Sequence, residues 1–324
     1  MSLSDEDVRH MVIEILTEET DRDRQVLIGA SDISNGCDYC LASAMLGISR
    51  ETDIASRPWG GRVNGTAVHG EIQRRLDRML AEGKHDIAKR YPDALVEFNM
   101  LLGYLESYGN VRTTSDLVLP CERHAFDWKG TDKAKLAVLI DFLAIQSGET
   151  APYGRTHQVH KAKTLSEKVY AEKMLDMEFK VTGYYDQLQL YGLGLERNGI
   201  PVDRLSIVFI ARDDTMFFDN PAMDRYDDPK ALHGTHVLSF NYNREYALAV
   251  WERAVTIWER IQAGETPSDF NRHAQCFPCG IDGQAVINAQ AIADRIDVPV
   301  PMNDIIFDVL DAELAELLDN ANNH

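Results

Sequence analysis

Apolar residues recur at helical spacing between positions 63 and 82, where Val63, Ala67, Val68, Ile72, Leu76, Met79 and Leu80 form one stripe. Such a stripe is what a helix with one buried face requires. Residues 4–18 carry a shorter amphipathic pattern, and Ser31 stands where it can cap a second helix bearing Cys37 and Cys40. Pro58 and Gly60-Gly61 read as a loop between these segments. From about 94 to 128 the pattern turns β-prone. There the runs 111–120 and 123–129 flank Pro120-Cys-Glu-Arg-His124, which predicts a hairpin. Helices are predicted over 132–146, over 182–197 with a stop at Asn198-Gly199, and over 243–263 with a stop at Gly264. Leu205-Ser-Ile-Val-Phe-Ile-Ala211 is a buried-strand pattern. Residues 148–165 and the Asp-, Pro- and Gly-rich stretch 212–235 read as loops, and 303–321 as an acidic amphipathic helix. No internal repeat is present.

The 324 residues suffice for one large domain or two small ones, and 44% hydrophobic content allows a sizeable core. The longest apolar runs are short, such as Leu136-Ala-Val-Leu-Ile140, whereas a membrane-spanning helix needs roughly 20 residues. The acidic start, Met1-Ser-Leu-Ser-Asp-Glu-Asp, lacks a secretory pattern. A cytoplasmic protein is therefore expected. A net charge of −19 opposes indiscriminate binding to nucleic acid. It leaves room for a local basic groove. Between Tyr153 and Lys173 stand Arg155, Lys161, Lys163, Lys168 and Lys173, with His157 and His160, against Glu167 and Glu172. The GxxxxGK[ST] phosphate loop is absent, so no ATP-driven motor is encoded in that form.

Closing the predicted hairpin brings Asp116 to Asp127 and Lys129. Two carboxylates beside an ammonium suit a divalent ion that activates water against a phosphodiester. Mg²⁺ or Mn²⁺ is expected, because hard cations prefer carboxylate oxygens. On a strand Asp127 and Lys129 face the same way, so Lys129 can orient water or stabilise charge on the phosphate. His69, in Gly65-Thr-Ala-Val-His69-Gly, and the Trp128 carbonyl are further candidate metal ligands. Gln187 and Tyr191 stand four apart on one helix face, placed to contact DNA or to steady the metal ligands. A competing carboxylate-x-lysine pair, Glu178-Phe-Lys180, has as its upstream acid Asp141, 37 residues earlier with no hairpin signal between. It reads as ordinary charge on a helix or strand edge.

Four of the five cysteines form two pairs, Cys37-Asp-Tyr-Cys40 and Cys276-Phe-Pro-Cys279. In a reducing compartment two such pairs predict one metal centre. The 235 residues between Cys40 and Cys276 do not forbid it, since closure entropy grows slowly with length. Zn²⁺ and a [4Fe–4S] cluster both fit the pattern. Cys121, in the hairpin turn, is expected to be a free thiol.

The ordered set His69, Asp116, Asp127-x-Lys129 and Gln187-xxx-Tyr191, with the cysteines outside it, resembles the RecB-like branch of the PD-(D/E)xK nucleases. It is most similar to the CRISPR-associated iron–sulfur exonucleases and their bacteriophage relatives. The resemblance spans roughly residues 31–285. It implies an α/β fold with a restriction-endonuclease-like core, a central mixed sheet flanked by helices. A four-cysteine clasp would join the N- and C-terminal regions, and the resemblance favours [4Fe–4S] over zinc there. The implied activity is Mg²⁺- or Mn²⁺-dependent cleavage of DNA, often exonucleolytic on single strands, in recombination, replication or repair, with a recombination or replication protein as a further partner. Residues 1–30 then form an N-terminal helix and 286–324 an acidic helical tail. Two other functions fit the same residues: a catalytically inactive DNA- or protein-binding module with a structural zinc, and an endonuclease.

Overall fold

The computed structural model describes residues 27–48, 59–151, 167–211, 235–276, Cys279 and 305–306. The expectations for 4–18, for most of the basic stretch 153–173, for 212–234 and for most of the acidic tail lie outside these residues. The described elements run α1 (Ala30–Ile33), α2 (Asp38–Met45), α3 (Trp59–Glu82), α4 (Asp86–Arg90), β1 (Leu95–Leu105), β2 (Gly109–Leu119) and β3 (His124–Thr131). They continue with α5 (Lys133–Gln146), α6 (Glu167–Arg197), β4 (Arg204–Ala211), β5 (Thr235–Asn241), α7 (Arg244–Gln262) and β6 (Ile305–Ile306).

One mixed six-stranded sheet, in the order β1-β2-β3-β4-β5-β6, forms the centre. Every neighbouring pair is antiparallel except β3–β4, which is parallel. Parallel neighbours need a long crossover, and the helices α5 and α6 lie in the connection between β3 and β4. The predicted hairpin is the β2–β3 pair, with Leu117 opposite Phe126 and Leu119 opposite His124. Its turn is the single 3₁₀ turn Pro120–Glu122, closed by Arg123 in the left-handed region. From Ser115 to Leu119 every residue of β2 is buried, so helices cover both faces of the sheet where the acids stand.

Helix α6 is the central beam. At 31 residues it extends roughly 46 Å. Tyr185, Leu188, Leu190, Leu193 and Leu195 are fully buried along it, and Gln189 binds the Asn241 carbonyl and the Asn243 amide at 2.8 and 2.7 Å. Helix α7 packs its face of Ala247, Trp251, Ala254, Ile257 and Trp258 onto this core. Gly103, at a bulge in β1, admits Trp251: a Cβ there would collide with the indole ring and with Arg197. Gly103→Ala is expected to cost about 1–3 kcal/mol through this overpacking. The measurement is a thermal melt, and an unchanged Tm would mean that the ring moves aside freely.

Several boundaries differ from the sequence expectations. Helix α6 begins at Glu167 rather than near 182. Tyr170, Met174, Met177 and Val181 stand at helical spacing there, but charged residues and the exposed Val169 and Leu175 interrupt the pattern around them. Gly60 and Gly61 lie in the first turn of α3 instead of a loop, because a 24-residue helix outweighs a glycine cost of about 1 kcal/mol each. Ser31 sits inside α1, which Gly29 caps, and Cys37 itself caps α2. Strand β5 was not legible, and Ile305–Ile306, expected in the tail helix, pairs with Phe240 and Ser239 as a strand.

Candidate active site and cysteine centre

The hairpin places Asp116 on β2 and Asp127 and Lys129 on β3. Helix α3 brings His69 from one side and α6 brings Gln187 and Tyr191. All the catalytic side chains expected from the sequence thus meet at one end of the β2–β3 pair. His69 Nδ1 lies 3.3 Å from Asp116 Oδ1. The other oxygen of Asp116 accepts a 2.6 Å hydrogen bond from the Trp128 amide. From Trp128 the structure therefore brings an N–H toward Asp116, where the sequence suggested its carbonyl as a ligand.

Asp127 is 3% exposed. Its Oδ1 accepts from the Tyr191 hydroxyl at 3.0 Å and from Gln187 Nε2 at 3.3 Å, and Gln187 also donates to Tyr191 Oη at 2.6 Å. Its Oδ2 lies 2.9 Å from the Lys129 ammonium and has no aligned hydrogen-bond donor among the described residues. Burial pushes the Asp127 carboxyl above its ordinary range, with Asp116 adding repulsion and Lys129 opposing both. Burial alone would lower the Lys129 pKa, yet the adjacent Asp127 carboxylate holds the ammonium firmly charged. The Tyr191 hydroxyl is raised well above its usual value by burial, so it acts as a donor. Gln187 is buried, which places the Gln–Tyr pair on the carboxylate side of its two expected roles. The hydrogen bond to Asp116 raises the pKa of His69.

One residue of this neighbourhood escaped the sequence reading. Glu97 on β1 offers an oxygen that lies, with one donor atom each from His69 and Asp116, within a group spanning no more than 4.8 Å. Its neighbours Val96 and Phe98 pair with Leu117 and Ser115, so Glu97 stands across from Asp116. It adopts φ of 48°, a conformation that costs a non-glycine residue energy and clusters at functional sites. The available signal was a lone carboxylate inside the β-prone run Leu95-Val-Glu-Phe98. Two carboxylates and an imidazole are a donor set suited to Mg²⁺ or Mn²⁺. Asp127 stands outside that set and is engaged by Lys129, Gln187 and Tyr191 instead.

The two carboxylates of the competing motif stand in different settings. Glu178 is an exposed residue of α6, and its presumed partner acid, Asp141, is fully buried and accepts from the Tyr170 hydroxyl at 3.2 Å. Lys180 contributes to a cavity of about 220 Å³ shared with Lys129, Lys135, Tyr184 and Phe209.

Cys37, Cys40, Cys276 and Cys279 converge, with all four sulfurs within 4.8 Å of one another. Cys40 lies 3.3 Å from Cys276 and 3.5 Å from Cys279, and Cys37 lies 3.5 Å from Cys279. The thiols divide their protons among themselves: neighbouring sulfurs pull Cys37 down and push Cys40 and Cys276 up. Around them Arg272 lies 3.6 Å over the Tyr39 ring, and Phe179 of α6 stacks on His273 at 4.2 Å. Cys121 is an exposed free thiol, as expected.

No helix among the described residues is long and apolar enough to cross a membrane. No protein-family model matches the chain, and no curated protein matches it in sequence. Among solved structures, that of SSO0001 is 11% identical and matches 77% of this chain and 84% of its own, with a TM-score of 0.36. A second, named "Putative exonuclease" and from Eubacterium rectale, is 11% identical over 87% of this chain and 94% of its own, with a TM-score of 0.39.

Proposed function

We propose that the chain is a metal-dependent deoxyribonuclease that hydrolyses DNA from ends, with single strands as its substrate. The observation that carries this reading is the convergence of His69, Glu97 and Asp116 beside the buried Asp127–Lys129 pair. His69, Glu97 and Asp116 would hold Mg²⁺ or Mn²⁺, with Asp127 positioned to join them. When bound, the ion supplies Lewis-acid polarisation of the phosphate and acidifies a water. Lys129 places a fixed positive charge where the attacking water and the developing phosphorane charge must sit. Tyr191 and Gln187 hold Asp127 Oδ1 in one orientation, so Oδ2 stays directed at the Lys129 ammonium. The cavity flanking Lys129, lined also by Lys135, Lys180, Tyr184 and Phe209, suits the next phosphate and base of a strand.

The test is cleavage of end-labelled linear single-stranded DNA with Mg²⁺, with Mn²⁺ and with chelator, beside a circular single strand of the same sequence. Degradation of the linear strand alone, dependent on the ion, is expected. Cutting of the circle would make the enzyme an endonuclease. Glu97→Ala is expected to shift the concentration of Mn²⁺ needed for half-maximal rate upward by about tenfold or more, the usual scale for removing a metal-site carboxylate partner. An unaltered metal titration would remove Glu97 from the site.

The second reading is a catalytically inactive binding module. It draws on Asp127 standing outside the donor set. DNA binding without cleavage across Mg²⁺, Mn²⁺, Co²⁺ and Ca²⁺ would favour it.

A further inference from the structure

The cysteine centre, which α6 borders through Phe179, has a geometry of its own. We infer that Cys37, Cys40, Cys276 and Cys279 hold a single thiophilic ion, Zn²⁺, and not the [4Fe–4S] cluster that the family resemblance implies. Four sulfurs around one Zn²⁺ at about 2.3 Å define a tetrahedron with edges of about 3.8 Å. A cubane puts four irons between the thiolates and spreads the sulfurs to about 6 Å apart. Here three of the six separations are 3.3–3.5 Å and the whole group fits within 4.8 Å. Entry of one ion needs shifts of a few tenths of an ångström. A cubane needs every sulfur to move outward by more than 1 Å.

The frame around the thiols resists such a move. Arg253 of α7 binds the Ile33 and Asn35 carbonyls at 2.9 and 3.0 Å and Asp38 Oδ1 at 2.9 Å, fixing the link between α1 and α2. The Tyr39 amide donates to the Asn271 carbonyl at 3.1 Å, tying α2 to the segment that leads into Cys276. Gly36 faces Phe179 of α6 so closely that a Cβ there would meet the ring. Cys37 and Cys279 are fully buried, Cys276 almost so, and Cys40 is half-buried. The site is coordinatively closed, with four protein ligands and no vacant position, as a structural zinc requires.

The experiment uses the full-length chain purified without oxygen. Metal content by mass spectrometry is expected to give one zinc per chain with iron well below stoichiometry, in a colourless solution. A mercurial that blocks thiols is expected to release that ion, read with a chromogenic zinc indicator, without any variant having to fold. Asp116→Asn protein is expected to retain the zinc, which separates the thiol centre from the His69–Glu97–Asp116 set. X-ray absorption at the zinc edge is expected to show one sulfur shell near 2.3 Å. About four irons and four sulfides per chain, with a brown broad absorbance, would overturn the inference. So would metal-free protein in which Cys40 and Cys276 are disulfide-bonded. Neither outcome bears on whether the carboxylate site cuts DNA.

Discussion

Asp127→Asn protein is expected to melt at or above the wild-type temperature at pH 7 while losing at least about 100-fold of its cleavage rate. The two effects have one cause. Burial raises the folded-state pKa of Asp127 above its unfolded value. A carboxyl so shifted binds more protons folded than unfolded, so its contribution to stability is lost as pH rises through the shifted value. At neutral pH the charge is a cost that asparagine removes. The amide still accepts from Tyr191, and Lys129, 27% exposed in its side chain, can turn its ammonium toward water. Lys129→Ala does the reverse. It leaves the Asp127 charge buried without its ion partner, which is expected to lower stability by up to about 3 kcal/mol and the cleavage rate by about 10²–10³-fold. Opposite Tm shifts with a shared loss of activity are the signature of a buried catalytic pair. Full activity in both variants, with loss in Glu178→Ala, would move the site to the competing motif.

The legible part of the site was the part written in local spacing. Asp127-x-Lys129 shows itself by alternation on one strand, Gln187 and Tyr191 by one helical turn, and Asp116 by its place across a turn with a strong Pro120 signal. Those are period-two and period-3.6 statements, and the structure keeps them. Glu97 could not be read this way. Its role comes from cross-strand register, Glu97 against Asp116, and from a local φ of 48°; neither leaves a periodic trace. The same holds for β5 and β6, whose pairing joins chain segments far apart in sequence. The early start of α6 was hidden because the narrow stripe of Met174, Met177 and Val181 in its first half is interleaved with charged residues and the exposed Val169 and Leu175. The cysteine pairs predicted a shared metal centre, but the choice between ion and cluster rests on sulfur separations that no spacing rule encodes.

Cys37→Ser carries the largest expected loss of stability. Cys37 is fully buried and its sulfur lies 3.5 Å from that of Cys279. A zinc centre contributes about 10–16 kcal/mol of apparent folding energy in small domains. In a protein of this size, loss of one thiolate is expected to lower the Tm by more than 10 °C, roughly what a few kcal/mol of lost stability produces. Cys121→Ser, at an exposed thiol, is expected to change nothing and serves as the control. The loss should also reach the carboxylate site, because α6 borders both. Phe179 stacks on His273 beside the thiols, and Gln187, eight residues further along, lies roughly 12 Å away along the helix axis. Phe179→Ala is therefore expected to keep the zinc but lower the cleavage rate severalfold, since Gln187 and Tyr191 no longer hold Asp127 so firmly. A Phe179→Ala enzyme with its zinc and full activity would show that the clasp only rivets the chain together. Lost activity with the zinc retained would show that the clasp sets the position of the catalytic carboxylate.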